Sequence, residues 1–174
     1  MKDILWGPTK DQEYSHFTAA EIKAVVPEDT FKSYYKFCMV RNPFERLVSL
    51  FHHKLLGGDT RFIDARKLNF TNFVRQLYDR FHEIPNKTQI EIAHVRPQFE
   101  YVYDENDKTL IDHIFKYENY DEIQEFITTL GGKKLEHFNS TTHEPYQVYY
   151  TKETIAMVKL MYRKDFKRFG YKFD

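Results

Sequence analysis

The sequence has little that would suggest a disulfide-bonded protein or one that coats nucleic acid. Its 174 residues include one cysteine, Cys38, which cannot form an internal disulfide and is more typical of a small core residue than of a nucleophile. Lys plus Arg and Asp plus Glu number 26 each, so there is no global basic field to attract nucleic acid. Any bound anion must therefore be held by a local cluster of cations.

Long hydrophobic runs are also missing. No apolar run reaches the ~18 residues of a membrane span, and the N-terminus lacks the apolar core of a signal peptide. The chain as given is therefore expected to be soluble and cytoplasmic, with no membrane segment, unless an N-terminal anchor is missing from it. With no repeat, linker or low-complexity tract, the length predicts one domain over residues 1–174.

The motifs of several enzyme classes are absent. The histidines lack paired ligand spacing, and the adjacent His52 and His53 would face different directions on a helix, so no metal site is predicted. The missing G-x-S-x-G elbow argues against an α/β-hydrolase, and the missing G-x-x-x-x-G-K-[ST] loop argues against a P-loop kinase.

The most informative segment present is a short strand that leads into an amphipathic helix. The apolar run 37–40 predicts a strand covered on both faces. Asn42 suits a helix N-cap and Pro43 the first helical position, so the helix is predicted to begin at Pro43. Arg41 comes just before the cap, where unpaired backbone N–H groups and the helix dipole favour an anion. A strand–helix corner that binds nothing is the alternative.

The rest of the pattern alternates helices with short strands. Further helices are predicted at about 19–26, 70–81, 120–130 and 152–169, two strands within 100–118, and loops at 27–33, 59–68 and 133–150. This alternation predicts an α/β fold with a mainly parallel central sheet flanked by helices.

Four polar residues outside the strand–helix segment are further candidates. His94, Arg96 and Gln98 recur at period two, so on an extended segment they would point the same way and could contact a polar ligand. His16 lies in a loop or at a strand end. The ordinary explanation is a solvated face for the triplet and a surface position for His16.

These residues carry a resemblance to a known family. Val40–Ser49, VRNPFERLVS, resembles the 3′-phosphate-binding signature of sulfotransferases that use 3′-phosphoadenosine 5′-phosphosulfate, in particular the carbohydrate branch (Golgi-type, heparan 2-O- and chondroitin-like). Other family segments match in order: His16 before a short helix, His94–Gln98, Tyr117–Asn119, His137–Ser140 and Asp165–Tyr171. The resemblance covers about residues 14–173 and implies a P-loop-like sulfotransferase fold.

The resemblance also implies a function and roles for single residues. The co-substrate would be 3′-phosphoadenosine 5′-phosphosulfate, with no metal, and the acceptor a hydroxyl of a carbohydrate. Arg41 and Ser49 would bind the 3′-phosphate, and Arg46 would be a third contact or a support acting through a carboxylate. His16 matches the place of a catalytic base, and the acceptor side would be contacted by His94, Arg96 and Gln98.

One family element has no counterpart in the sequence. The family begins with a strand and a loop resembling PKTxxT, which cradles the 5′-phosphosulfate. A truncated reading frame, a partner chain or segment that supplies the strand, and a binding-only remnant all stay open. The second hypothesis is therefore a non-catalytic sulfotransferase-like module for nucleotide binding or assembly. The sequence leaves the acceptor and the oligomeric state undetermined.

Overall fold

The computed structural model describes residues 16–55, 63, 65–86, 92–135 and 143–174, so His137–Ser140 and parts of the loops predicted at 59–68 and 133–150 lie outside the described residues. The helices are α1 (Ala19–Val25), α2 (Glu28–Ser33), α3 (Pro43–Leu55), α4 (Phe70–Arg80), α5 (Phe99–Val102), α6 (Tyr120–Thr129), α7 (Lys152–Met161) and α8 (Arg163–Phe169). The strands are β1 (Phe37–Val40) and β2 (His113–Lys116), and short 3-10 turns cover Ala65–Lys67, Phe81–Asn86 and Tyr146–Tyr149.

The two described strands form a parallel pair. Phe37 of β1 lies opposite His113 of β2, and Val40 lies opposite Lys116. A parallel pair flanked by helices confirms the predicted α/β class. The prediction that β1 is covered on both faces is wrong, because Phe37 is 39% and Met39 45% exposed while Val40 is buried. Along a strand successive side chains alternate between faces, and only one face of β1 meets the core.

The core is built on α3. Its apolar stripe is buried as predicted: Phe44, Leu47, Val48 and Phe51. These side chains pack with the buried faces of α4 and α7 in one continuous cluster. Asn42 Oδ1 accepts the N–H of Phe44 at 3.1 Å, which confirms Asn42 as the N-cap and the start of the helix at Pro43.

Residues 94–98 do not form an extended segment. The N–H groups of Val95 and Arg96 both donate to the Ile92 carbonyl at 2.8 Å, which closes a turn. His94, Arg96 and Gln98 therefore do not share one face of a strand. Period-two spacing aligns side chains only where the backbone is extended, and here the carbonyl of Ile92 draws the chain back on itself.

The first strand predicted within 100–118 is replaced by the short helix α5. The buried Asp165 carboxylate accepts the N–H groups of Gln98 and Phe99, each at 2.9 Å, and so caps this helix from the far end of the chain. The second strand is confirmed as β2. A cap supplied from such a distance leaves no local signature, so sequence periodicity could not find it.

Three other differences have local causes. The predicted loop 27–33 contains α2, which buries no residue and so has no apolar stripe to detect. The final predicted helix is divided at Tyr162, whose φ of -108 and ψ of 28 end α7. Leu130, an apolar residue at the end of the helix predicted at 120–130, is 64% exposed because it follows the last residue of α6.

Candidate functional site

Arg41 lies between β1 and the cap of α3, and Gln98 fixes its backbone. The Arg41 N–H donates to Gln98 Oε1, and Gln98 Nε2 donates to the Arg41 carbonyl, both at 2.8 Å. Gln98 is itself buried and anchored by Asp165. The entrance to α3 is therefore held against the segment that precedes α5.

The Arg41 guanidinium contacts two side chains, and one of its donors is buried without a hydrogen bond to any described residue. Its Cζ lies 4.4 Å from the centroid of the Tyr117 ring, and its Nη2 donates to Glu45 Oε1 at 2.9 Å. Arg41 Nε is buried and has no hydrogen-bond partner among the described residues. A buried donor without a partner costs about 1–3 kcal/mol. An anion oxygen at this position would remove that cost.

A carboxylate from beyond β2 supports the turn at Asn42. The Asn42 N–H donates to Glu118 Oε1 at 2.7 Å, and the Tyr171 hydroxyl lies 2.9 Å from Glu118 Oε2. Burial, together with the hydrogen bond to Glu118, raises the pKa of Tyr171, so its hydroxyl stays a donor. The sequence contains no local signal for this arrangement, because 76 residues separate Asn42 from Glu118.

Ser49 lies on the side of α3 that also carries Glu45. The two residues are one helical turn apart, which makes their side chains neighbours on the helix surface. Ser49 is half-buried. An anion that reached both Arg41 and Ser49 would therefore lie next to the Glu45 carboxylate.

Arg46 connects α3 to the turn at 93–96. Its Nη1 donates to the Arg96 carbonyl at 2.7 Å and its Nη2 to the Ala93 carbonyl at 3.2 Å. The predicted alternatives for Arg46 were a third anion contact or a support through a carboxylate. The hydrogen bonds of the Arg46 side chain go to backbone carbonyls, so Arg46 stabilises the turn at 93–96.

A cavity of about 270 Å³ lies beside β1. Its lining includes His16, Cys38, Val40, Arg46, Gln98 and Tyr101. Since Gln98 both lines this cavity and binds the backbone of Arg41, the cavity adjoins the corner at which Arg41 lies. Burial raises the pKa of Cys38 to about 12, so its thiol is protonated near neutral pH.

His16 is brought close to one of the three acceptor-side candidates. The rings of His16 and His94 are 6.0 Å apart, and His53 of α3 lies 6.3 Å from His94. Arg96 is paired instead with Glu100, its Nε 2.8 Å from Glu100 Oε2. Tertiary structure thus brings His94 next to His16, which lines the cavity, and places Arg96 in an internal ion pair.

Two other properties of the described residues concern metals and membranes. They contain no group of three or more histidine, cysteine or acidic side chains placed to hold a metal ion. None of their helices has the length and apolar character needed to cross a bilayer.

Comparisons with known proteins agree on one family. A model described as "Sulfotransferase family" matches residues 9–172. Carbohydrate sulfotransferase 10 of Homo sapiens and that of Pongo abelii are each 28% identical to the chain over 189 aligned positions. The alignments cover 90% of this chain and 51% of each relative, so the chain spans about half the length of the curated relatives that it matches. No solved structure gives a significant match.

Proposed function

Because the chain belongs to the sulfotransferase family, we propose that it binds 3′-phosphoadenosine 5′-phosphosulfate and transfers the sulfonate to a hydroxyl of a carbohydrate. The donor follows from the family resemblance of Val40–Ser49. The acceptor class is supported by the relatives, which are named carbohydrate sulfotransferases.

The observation that carries the proposal is the unpartnered Nε of Arg41. Gln98 fixes the backbone of Arg41, and the Arg41 guanidinium lies over the Tyr117 ring, so the side chain is preorganised. Its buried Nε–H makes no hydrogen bond to any described residue. A phosphate offers several oxygens to the planar donor set of an arginine, and such charge-assisted pairs are stronger than neutral ones. The 3′-phosphate satisfies Arg41 Nε, and the Ser49 hydroxyl donates to the same group.

We assign the transfer step to the cavity beside β1, which His16 lines. The donor provides an activated sulfonate: the acceptor oxygen bonds to sulfur while the bond from sulfur to the 5′-phosphate oxygen breaks and its electron pair leaves with the phosphate. A ring nitrogen of His16, at the cavity edge, takes the proton of the acceptor hydroxyl. An imidazole suits this step because its ordinary pKa is close to neutral.

The acceptor-side residues divide into a contact and two supports. We assign the acceptor contact to His94, whose ring centroid lies 6.0 Å from that of His16. Arg96 is paired with Glu100, and the amide of Gln98 is bonded to the backbone of Arg41. We assign Arg96 and Gln98 to the wall of the site and Arg46 to the support of the turn at 93–96.

Donor binding is tested by isothermal titration with 3′-phosphoadenosine 5′-phosphate. Arg41→Ala should weaken binding roughly 10- to 100-fold, the equivalent of about 1.5–3 kcal/mol for a hydrogen bond to a charged group. Arg41→Lys should recover only part of this loss, since an ammonium lacks the planar fork. Arg75→Ala removes an exposed arginine that pairs with Glu153 on α7 and is the matched control. Binding that Arg41→Ala leaves unchanged would exclude the phosphate site.

Catalysis is tested by transfer of labelled sulfonate to a panel of carbohydrates. His16→Ala should abolish transfer and leave the affinity for 3′-phosphoadenosine 5′-phosphate nearly intact. A fully active variant would remove His16 from the mechanism. Nucleotide binding without any transfer would favour the alternative, a non-catalytic nucleotide-binding or assembly module, or a requirement for a partner segment that supplies the missing loop.

A further inference from the structure

A second titratable group shares the carboxylate that holds Arg41. His143 Nε2 lies 3.6 Å from Glu45 Oε1, the oxygen that accepts from Arg41 Nη2 at 2.9 Å. The His143 side chain is only 9% exposed. Glu45 therefore lies between an arginine that is always positive and an imidazole that can become so.

Both ring nitrogens of His143 face hydrogen-bond acceptors. Nδ1 lies 2.8 Å from the Glu144 carbonyl oxygen, which can only accept, so Nδ1 carries a proton. Nε2 faces the Glu45 carboxylate, which also only accepts when ionised. A neutral ring would turn the lone pair of Nε2 towards this negative oxygen. Only a ring protonated on both nitrogens can therefore donate towards the Glu45 carboxylate while Nδ1 keeps its contact with the Glu144 carbonyl.

His52, stacked on His143, has the opposite surroundings. The two ring centroids are 5.3 Å apart with the planes inclined by 22°. The Tyr149 hydroxyl accepts the Glu144 N–H at 3.3 Å and lies 3.0 Å from His52 Nε2. Burial and the neighbouring His143 lower the pKa of His52. The lowered pKa of His52 disfavours positive charge on that ring.

The charges around Arg41 depend on the state of His143. With His143 neutral, the Arg41–Glu45 pair cancels and an approaching anion meets no net charge. With His143 protonated, the three side chains carry one net positive charge, and the Glu45 oxygen is divided between two cations. Nearby opposite charges favour the charged form of a titratable group, so a phosphate bound at Arg41 in turn favours the protonated ring.

We propose that His143 is a positioning residue for the 3′-phosphate, which in its protonated form competes for Glu45 and releases Nη2 of Arg41 to the phosphate. The inference rests on the proposed binding of that phosphate at Arg41. The groups that face His143 are Glu45 and His52 of α3 and, on its own segment, Tyr149 and the Glu144 carbonyl. Nucleotide affinity should therefore be higher when His143 is protonated than when it is neutral, so it should fall as the pH rises.

The test is titration with 3′-phosphoadenosine 5′-phosphate between about pH 5.5 and about pH 8.5, a range centred on ordinary histidine titration. At the acid end wild type should bind roughly tenfold more tightly than His143→Gln, and the two affinities should converge at the alkaline end. The phosphate groups themselves titrate at about pH 6, but they do so for both proteins, so the affinity ratio isolates His143. His113→Gln removes an exposed imidazole 3.7 Å from Glu122 Oε1 and should follow wild type throughout.

Glu45→Gln tests the route by which His143 acts. Without the shared carboxylate, replacing His143 should change nucleotide affinity by less than about twofold at any pH, because coupling requires the common partner. A wild-type to His143→Gln ratio that stays constant with pH would overturn this inference alone. Failure of wild type to bind the nucleotide at any pH would overturn the proposed function and this inference with it.

Nitrogen-15 NMR of His143 in the wild-type protein tests the proposal even if the His143 variant does not fold. The nitrogen-15 shifts of His143 should move towards the imidazolium values when 3′-phosphoadenosine 5′-phosphate is added at about neutral pH, where histidine is ordinarily part-protonated. A ring that stays neutral in the bound protein would refute the role. The His113 ring provides the internal reference, and its shifts should not change.

Discussion

Asp165 links the closing segment of the chain to the backbone of Arg41, and its removal should damage both stability and binding. Its side chain is fully buried, and it accepts two backbone N–H groups at 2.9 Å, from Gln98 and Phe99. Gln98 Nε2 lies 3.4 Å away, a longer and weaker contact. Gln98 then holds both backbone groups of Arg41.

The expected loss of stability in Asp165→Ala follows from the two short hydrogen bonds that Asp165 accepts. Asp165→Ala leaves two buried donors without an acceptor at about 1–3 kcal/mol each, and this loss is partly offset because a buried carboxylate no longer has to be desolvated. We expect a net loss of about 2–4 kcal/mol in the free energy of unfolding, which is roughly 5–15 °C in Tm for a chain of this size. Asp165→Asn keeps one acceptor and should lose about half as much.

The assay is urea unfolding followed by circular dichroism, with nucleotide titration of the folded variants. Asp165→Ala should also weaken binding of 3′-phosphoadenosine 5′-phosphate, because Gln98 no longer fixes Arg41. Lys167→Ala, on the exposed side of α8, is the control and should change neither quantity. A loss of stability below about 1 kcal/mol, with unchanged nucleotide affinity, would refute the reasoning, since the two unsatisfied donors alone should cost more.

The raised pKa of Asp165 predicts the direction in which stability changes with pH. Burial raises the pKa of Asp165 above its ordinary 3.8, although the N–H groups of Phe99 and Gln98 oppose the shift. As the pH rises above 3.8, the unfolded chain releases this proton before the folded one does, so the folded state loses stability. The stability difference between wild type and Asp165→Ala should therefore be larger near about pH 4 than near pH 7. A difference that grows with pH would contradict this sign.

Two further predictions concern single residues. The pKa of Cys38, raised to about 12 by burial, should make its alkylation at about pH 8 at least roughly a hundredfold slower in the native protein than in urea, because the thiolate is the reactive form; equal rates would contradict it. Gly170→Ala should lower the free energy of unfolding by about 1–2 kcal/mol, since φ at Gly170 is +69 and no atom lies within 4 Å of an added Cβ, which leaves backbone strain as the cause. A Gly170→Ala protein as stable as wild type in urea would argue against that conformation.

Local chemistry in the sequence determined the elements that carry the site. The apolar run 37–40, the Asn42 cap and the stripe of α3 are short-range signals, because neighbouring residues fix their backbone conformation. The stripe also fixed the buried face of α3, whereas the run did not fix the burial of β1. They predicted β1, the start of α3 and the position of Arg41 between them. The family resemblance of the same residues supplied the proposed donor, and the family-model match over residues 9–172 shows the membership.

Tertiary structure decided everything that depends on partners distant in sequence. No local pattern could predict that Asp165 caps α5, that Glu118 holds the turn at Asn42, or that His143 shares Glu45 with Arg41. The prediction that His94, Arg96 and Gln98 share one face is wrong for the same reason. The backbone forms a turn at Ile92, and the Gln98 side chain binds the backbone of Arg41. Amphipathic helices with their own N-cap residue follow from residues within about one turn of each other, whereas buried polar contacts are satisfied by whichever groups the folded chain brings within reach.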